Sequence, residues 1–204
     1  MASLSKGQSK KLNVSKTAKH RIFAGLGWDP AAPPKLIDKV QALAKGVGIH
    51  HDLDLSCYLY NKNKALVDVI SANPDHAVDA SGRIYHSGDN KEGIGEGDDE
   101  EISVELKDLP ETLHYLVFTA KISSGQTFED INNPEIRLAD GYTDHNLLTS
   151  MIEEPGCTGK NLFVFCCVYR DEIEDWKVLN IKEYLLLDDQ QDPGRLCQNF
   201  IQPI

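Results

Sequence analysis

The chain has 204 residues, more than one average domain and within the range of a single β sandwich or barrel. Acidic residues outnumber Lys and Arg by 32 to 21, and the net charge of −11 argues against attraction to nucleic acid or anionic lipid and for cations as partners. The longest apolar run, Leu162 to Tyr169, falls far short of the roughly 20 residues that cross a bilayer, so no integral membrane segment is expected.

Residues 1–19 are polar and basic, either a frayed arm or a short edge strand, and lack the apolar core of a secretory signal. RIFAGLGWDP, from Arg21, reads as a strand stopped by Asp29 and Pro30. Leu36, Ile37, Val40, Leu43 and Ala44 fall at helical spacing after a proline start, so a short helix over 33–45 is expected in a loop between strands. In IHHDLDLSCYLY the apolar residues alternate with polar ones, and Asp52 and Asp54 share one strand face. Two carboxylates roughly 7 Å apart along a strand can reach one cation, although solvent-facing Asp at a strand start is common.

KALVDVIS is another strand, SANPDHAVDASG a loop, and RIYHSG a brief strand leading into the most distinctive stretch, HSGDNKEGIGEGDDEE. EISVELKDLP leaves that stretch as an alternating strand, and LHYLVFTAKIS is dense in the β-branched and aromatic residues that strands favour. PEIRLAD, HNLLTSMI, LFVFCCVYR and WKVLNI supply four more strands. DDQQDPGRLCQNFIQPI shows no periodicity and is expected as a tail over 188–204, after a domain at 1–187. The sum is an all-β, two-sheet sandwich of about ten strands with a short helix in a loop. In such a sandwich the end of the Gly27–Asp29 strand, the DLD strand and the acidic loop can share one rim.

Between Asp89 and Glu101 stand seven carboxylates and one cation, Lys91, interleaved with Gly93, Gly95 and Gly97. Two unit charges about 4 Å apart repel by roughly 1 kcal/mol in water and about 4 kcal/mol at a partly shielded surface. Calcium, with 6–8 oxygen ligands, is the natural counter-charge, against the alternative of a solvated acidic turn. The span from Asp89 to Glu100 is no EF-hand, because Lys91 and Gly93 stand at ligand positions and Ile94 replaces the turn glycine. A phosphate loop would need a basic residue within GIGEGDDE, and a calcium β-helix repeat would need tandem copies.

The five cysteines form no CxxC pair and are expected to be reduced, buried packing residues, which makes the cytoplasm the default compartment. Cys166 and Cys167, adjacent in a strand, should face opposite sides.

GLGWD (25–29), DLDLSCYL (52–59), HSGDN (86–90), GEGDDEEI (95–102) and DWK (175–177), with the opening LSKG and LNVSK, together resemble the tellurium-resistance TerD family. The likeness runs in order over roughly residues 4–180. It implies a calcium-binding β sandwich of bacterial stress systems without established enzymatic activity. It also implies a ligand set of Asp52, Asp54, Asp89, Asn90, Asp98, Asp99 and Glu100, with Asp29 and Glu96 of second rank, holding one or two Ca2+ ions. Other stress-system proteins are the implied partners. Ser123 and Ser124 depart from the His-Asp pair usual in the family, which implies a weaker second site; the 33–45 insertion and the chain beyond Tyr184 also lie outside its pattern.

Two other functions can be weighed. A metal-dependent hydrolase has no nucleophile elbow, and His50, His51 and His86 lack HExxH-type spacing, so His86 reads as a packing or hydrogen-bonding residue. A small-ligand module of the cyclic-nucleotide kind, also suggested by the resemblance, would need a platform such as Trp28, Tyr85 and Arg83.

Overall fold

The computed structural model describes residues 4–17, 19–31, 50–94, 97–153 and 155–202. Among them are eleven strands in two antiparallel sheets and one α-helix. The six-stranded sheet runs, in spatial order, β1 (Ser9–Lys11), β11 (Trp176–Leu185), β10 (Leu162–Arg170), β7 (Tyr115–Ile122), β3 (Leu53–Tyr60) and β4 (Leu66–Ile70). The five-stranded sheet runs β5 (Ile84–His86), β6 (Glu100–Glu105), β2 (Arg21–Asp29), β8 (Asn132–Asp140) and β9 (Asn146–Met151). This is the two-sheet sandwich that the alternating pattern predicts. The N-terminal stretch takes the edge-strand form, pairing β1 with β11.

The core between the sheets is built from inward positions of both, including Ile22, Leu26, Leu55, Ile102, Phe118, Leu138, Phe163 and Phe165. β10 is apolar on both faces because both are covered. Phe163, Phe165, Cys166 and Val168 face the other sheet, while Leu162, Val164, Cys167 and Tyr169 face outward into a second cluster. A register shift between Val164 and Cys166 breaks the alternation. Cys166 and Cys167 accordingly lie in different clusters.

The second cluster exists because of a helix that the sequence reading replaced with a tail. Residues Pro193–Ile201 form helix α1, started by the Asp192 side chain, which accepts the Gly194 N–H at 2.8 Å, and by Pro193 in the first turn. Leu196, Cys197, Phe200 and Ile201 make one apolar stripe against Tyr58, Tyr60, Val117 and Leu187. The Tyr60 hydroxyl donates to the Gly194 carbonyl at 2.5 Å. Nine residues are too few to hold a helix alone, so packing on the sheet supplies its stability. The helix expected at 33–45 lies outside the described residues.

Candidate metal centre

The end of β2, the start of β3 and the acidic loop between β5 and β6 meet at one rim of the sandwich. Their contact is specific. The Trp28 indole N–H donates to the His51 carbonyl at 3.0 Å, the Trp28 backbone N–H donates to Asp99 at 2.9 Å, and the Asp99 N–H donates to the Leu26 carbonyl at 2.8 Å. Gly93, at φ +62, lets the loop pass directly over Trp28, since a Cβ at that position would lie 2.5 Å from the indole nitrogen.

Glu100 anchors the loop. Its side chain is fully buried; one carboxylate oxygen accepts the Leu55 N–H at 2.8 Å, and the other accepts the Asn90 N–H at 3.1 Å. His86 Nε2 stands 3.3 Å from the same carboxylate, while its Nδ1 accepts the Gly88 N–H. His86 is therefore a buried positioning group, as its sequence reading expects. Asn90 locks the loop internally: its amide oxygen accepts the N–H groups of Glu92 and Gly93, and its amide nitrogen donates to Asp99, all at 3.1 Å. Burial raises the Asp99 carboxyl above its ordinary value even though the Trp28 N–H works the other way.

Asp52, Asp54 and Asp89 are arranged differently. Each offers a carboxylate oxygen, and the three oxygens lie within 4.8 Å of one another. Asp52 immediately precedes β3, Asp54 is its second residue and Asp89 comes from the loop, so the cluster closes the loop onto the strand. Burial first, then the charges of Asp54 and Asp89, raises the Asp52 carboxyl above its usual range. One Asp52 oxygen is buried without a hydrogen-bond partner. A buried unpaired carboxylate oxygen is costly, and a cation at this point would satisfy it. The surroundings supply little positive charge. Lys91 reaches Asp89 at 3.3 Å from a largely exposed position, and the Ser123 hydroxyl donates to Asp54. The donor set is oxygen only and suits a hard cation such as calcium, with backbone carbonyls and water completing its 6–8 ligands.

The remaining candidates are spent on the protein's own donors. Arg137 holds both oxygens of Asp98, with Nε at 3.0 and 2.9 Å and Nη2 at 2.7 Å. Asn133 donates to Asp29 at 2.6 Å. Glu96 lies outside the described residues. Of the nine predicted ligands, then, the structure gathers Asp52, Asp54 and Asp89, uses Asn90, Asp99 and Glu100 to fold the loop, and turns Asp98 and Asp29 toward β8.

The TerD domain model matches residues 1–185, nearly the whole chain. The chain belongs to the TerD domain family. Among its relatives are the tellurium resistance protein TerZ of Serratia marcescens, 35% identical over 76% of this chain and 77% of that protein, and the stress response protein SCP2 of Bacillus subtilis (strain 168), 29% identical over 89% and 91%. A homologue of telluride resistance protein (TerD) from Streptomyces coelicolor A3(2) superimposes with a TM-score of 0.66 at 22% identity, covering 85% of this chain and 96% of that one, which shows a shared fold.

Within this TerD domain, Arg137, Ser123 and Ser124 have no place at the rim in the sequence reading. Arg137 is one of several basic residues in alternating strands, and only the pairing of β2 with β8 brings it to Asp98. Ser123 and Ser124, noted as departures from the family pattern, do reach the cluster: Ser123 bonds Asp54, and Ser124 Oγ accepts the Asp52 N–H at 3.0 Å. The platform for a planar ligand is not assembled, because Trp28 is in the core and Arg83 pairs with Glu105 at 2.6 Å. α1 lies beyond the matched segment.

Proposed function

We propose that this TerD-domain protein is a non-enzymatic, calcium-binding stress-response protein of the tellurite- and chemical-stress-resistance kind. The ion sits between Asp52, Asp54 and Asp89, fixing the loop at 87–94 against β3 and presenting that loop to a protein partner. The observation that carries the reading is the convergence of three carboxylate oxygens, one of them buried and unpartnered, contacted by an exposed lysine and a hydroxyl. The names of the relatives support the stress role. Ile94, an apolar side chain 65% exposed in an otherwise acidic loop, supports the partner surface. Five buried cysteines outside any disulfide fit a cytoplasmic protein, and among the described residues no helix is long and apolar enough to cross a membrane.

Titration calorimetry with calcium on chelator-treated protein tests the reading. Binding at micromolar concentration or tighter is expected, and it should be lost in Asp54→Asn combined with Asp89→Asn. No heat of binding at millimolar calcium would overturn it.

A further inference from the structure

Beside the Asp52, Asp54 and Asp89 cluster lies a second acidic cleft of about 450 Å³, lined by Asp29, Asp98, Asp99 and Glu135 together with Arg137. We infer that Arg137 is a built-in counter-ion that takes Asp98 out of the ligand set and limits the acidic loop to a single divalent cation. The inference rests on the calcium reading of the first cluster.

The arrangement is built into the register of the five-stranded sheet. Gly25 of β2 sits between Glu101 of β6 and Arg137 of β8. A Cβ at Gly25 would lie 2.2 Å from the carboxylate carbon of Asp98, so that carboxylate fills the space above β2 where a side chain would stand. From there it crosses to Arg137. Nε and Nη2 of the guanidinium grip both Asp98 oxygens, Nη1 reaches Asp144 at 2.8 Å and Asn146 Oδ1 at 3.0 Å, and the plane lies over Phe23 at 5.0 Å. Asp98 is 10% exposed and Arg137 20%. A planar guanidinium fixed on several sides and partly withdrawn from water is a strong, always-charged partner for a carboxylate.

A divalent ion entering this cleft would meet that fixed positive charge and find the carboxylates of Asp29 and Asp99 already holding protein donors. Asp29 holds the Asn133 amide, and Asp99 holds the Trp28 N–H and the Asn90 amide. The first cluster has no guanidinium gripping it among the described residues: Lys91 touches one Asp89 oxygen at 3.3 Å from a side chain 68% exposed, and water can replace it there. The two halves of the loop therefore differ in kind. Residues 98–100 are held by protein groups with or without metal, whereas on residues 87–94 the ion adds to the hydrogen bonds of Asn90.

Native mass spectrometry and calcium calorimetry on the chelator-treated full chain test this. The wild type should bind one ion. Asp98→Asn should still bind one, with an affinity changed by no more than about threefold, as for a site outside the coordination sphere. Arg137→Gln should bind two, and adding Asp98→Asn to it should restore one. Two ions in the wild type, one of them removed by Asp98→Asn, would leave the calcium reading standing and overturn the inference, as would a folded Arg137→Gln that still binds one. Absence of any ion in the wild type would overturn the calcium reading and this inference with it. If Arg137→Gln does not fold, the stoichiometries of the wild type and of Asp98→Asn decide the question.

Discussion

The carboxylate of Glu100, in the first position of β6, accepts the backbone N–H of Leu55 in β3 at 2.8 Å, joining the two sheets by a hydrogen bond through the core. β4 pairs with β3 only from Cys57 to Tyr60, so Leu55 has no strand partner on that side and Glu100 takes the place of one. Removing the carboxylate strands the buried N–H of Leu55 and the half-buried N–H of Asn90. Glu100→Ala should destabilise the protein by about 3 kcal/mol or more, since a lost buried acceptor costs roughly 1–3 kcal/mol per donor. Glu100→Gln, which keeps one acceptor, should lose less. Urea denaturation in the presence of chelator checks both, and equal losses would show that shape and not hydrogen bonding governs the site.

A second carboxylate makes stability pH-dependent. Burial opposes ionisation of Asp140, yet the N–H groups of Ser15, Thr143 and Tyr142 together outweigh it and hold the carboxyl well below the usual range. A carboxyl whose pKa is lower in the folded state contributes stability that is complete above its unfolded value, about 3.9, and is lost as pH falls through the folded value. Asp140→Asn should therefore cost stability near neutral pH, and the gap to the wild type should close as the solution is acidified below about pH 4. A gap constant with pH would mean that the charge is not what matters.

The helix beyond the family domain is a tertiary element with a measurable share in the fold. Ile201 is fully buried in the outer cluster, so Ile201→Ala should destabilise by about 2–5 kcal/mol, the usual range for such a truncation. Thermal unfolding checks the value. A change below about 0.5 kcal/mol, typical of surface substitutions, would show α1 to be detached in solution.

The thiols are placed against reactivity. All five cysteines are buried and none is in a disulfide, and burial pushes the Cys197 thiol up to about 12. At neutral pH its thiolate fraction is then on the order of 10⁻⁵, against about 3 in 100 for an ordinary cysteine. Native protein should consume thiol reagent at least about a hundredfold more slowly than unfolded protein, and tellurite should leave the thiol count unchanged. Rapid modification of any cysteine in folded protein would reopen direct thiol chemistry as a route to resistance.

The architecture was legible because alternation survives wherever one sheet face meets the core, as in EISVE, and because Asp29 and Pro30 end the apolar stretch RIFAGLGW. It was least legible where both faces are covered or where an element depends on packing. The 193–201 helix has its cap, its proline and its apolar stripe in the sequence, but two and a half turns carry too little periodicity to outweigh the surrounding polar residues. At the rim, residue type announced a cation site and left open which carboxylates would face it. Asp52, Asp54 and Asp89 converge on one point, the place where we propose the ion, whereas Asp98 is drawn away by Arg137, a residue 39 positions later whose approach follows from strand register alone. Glu100 illustrates the same limit: a buried structural acceptor and a metal ligand are the same letter.

The first strand and the last strand are neighbours. Ser9 of β1 stands opposite Leu179 of β11, so the six-stranded sheet is completed by pairing strands 170 positions apart in sequence. As the polypeptide emerges, β1 waits until β11 is made with its ladder groups unsatisfied by that partner. Its brevity and its two lysines, Lys10 and Lys11, discourage premature pairing with other nascent chains during that wait. Closure of the sheet is thus a late, non-local event, and the protein is expected to gain its final stability after its last strand is made rather than progressively along its length.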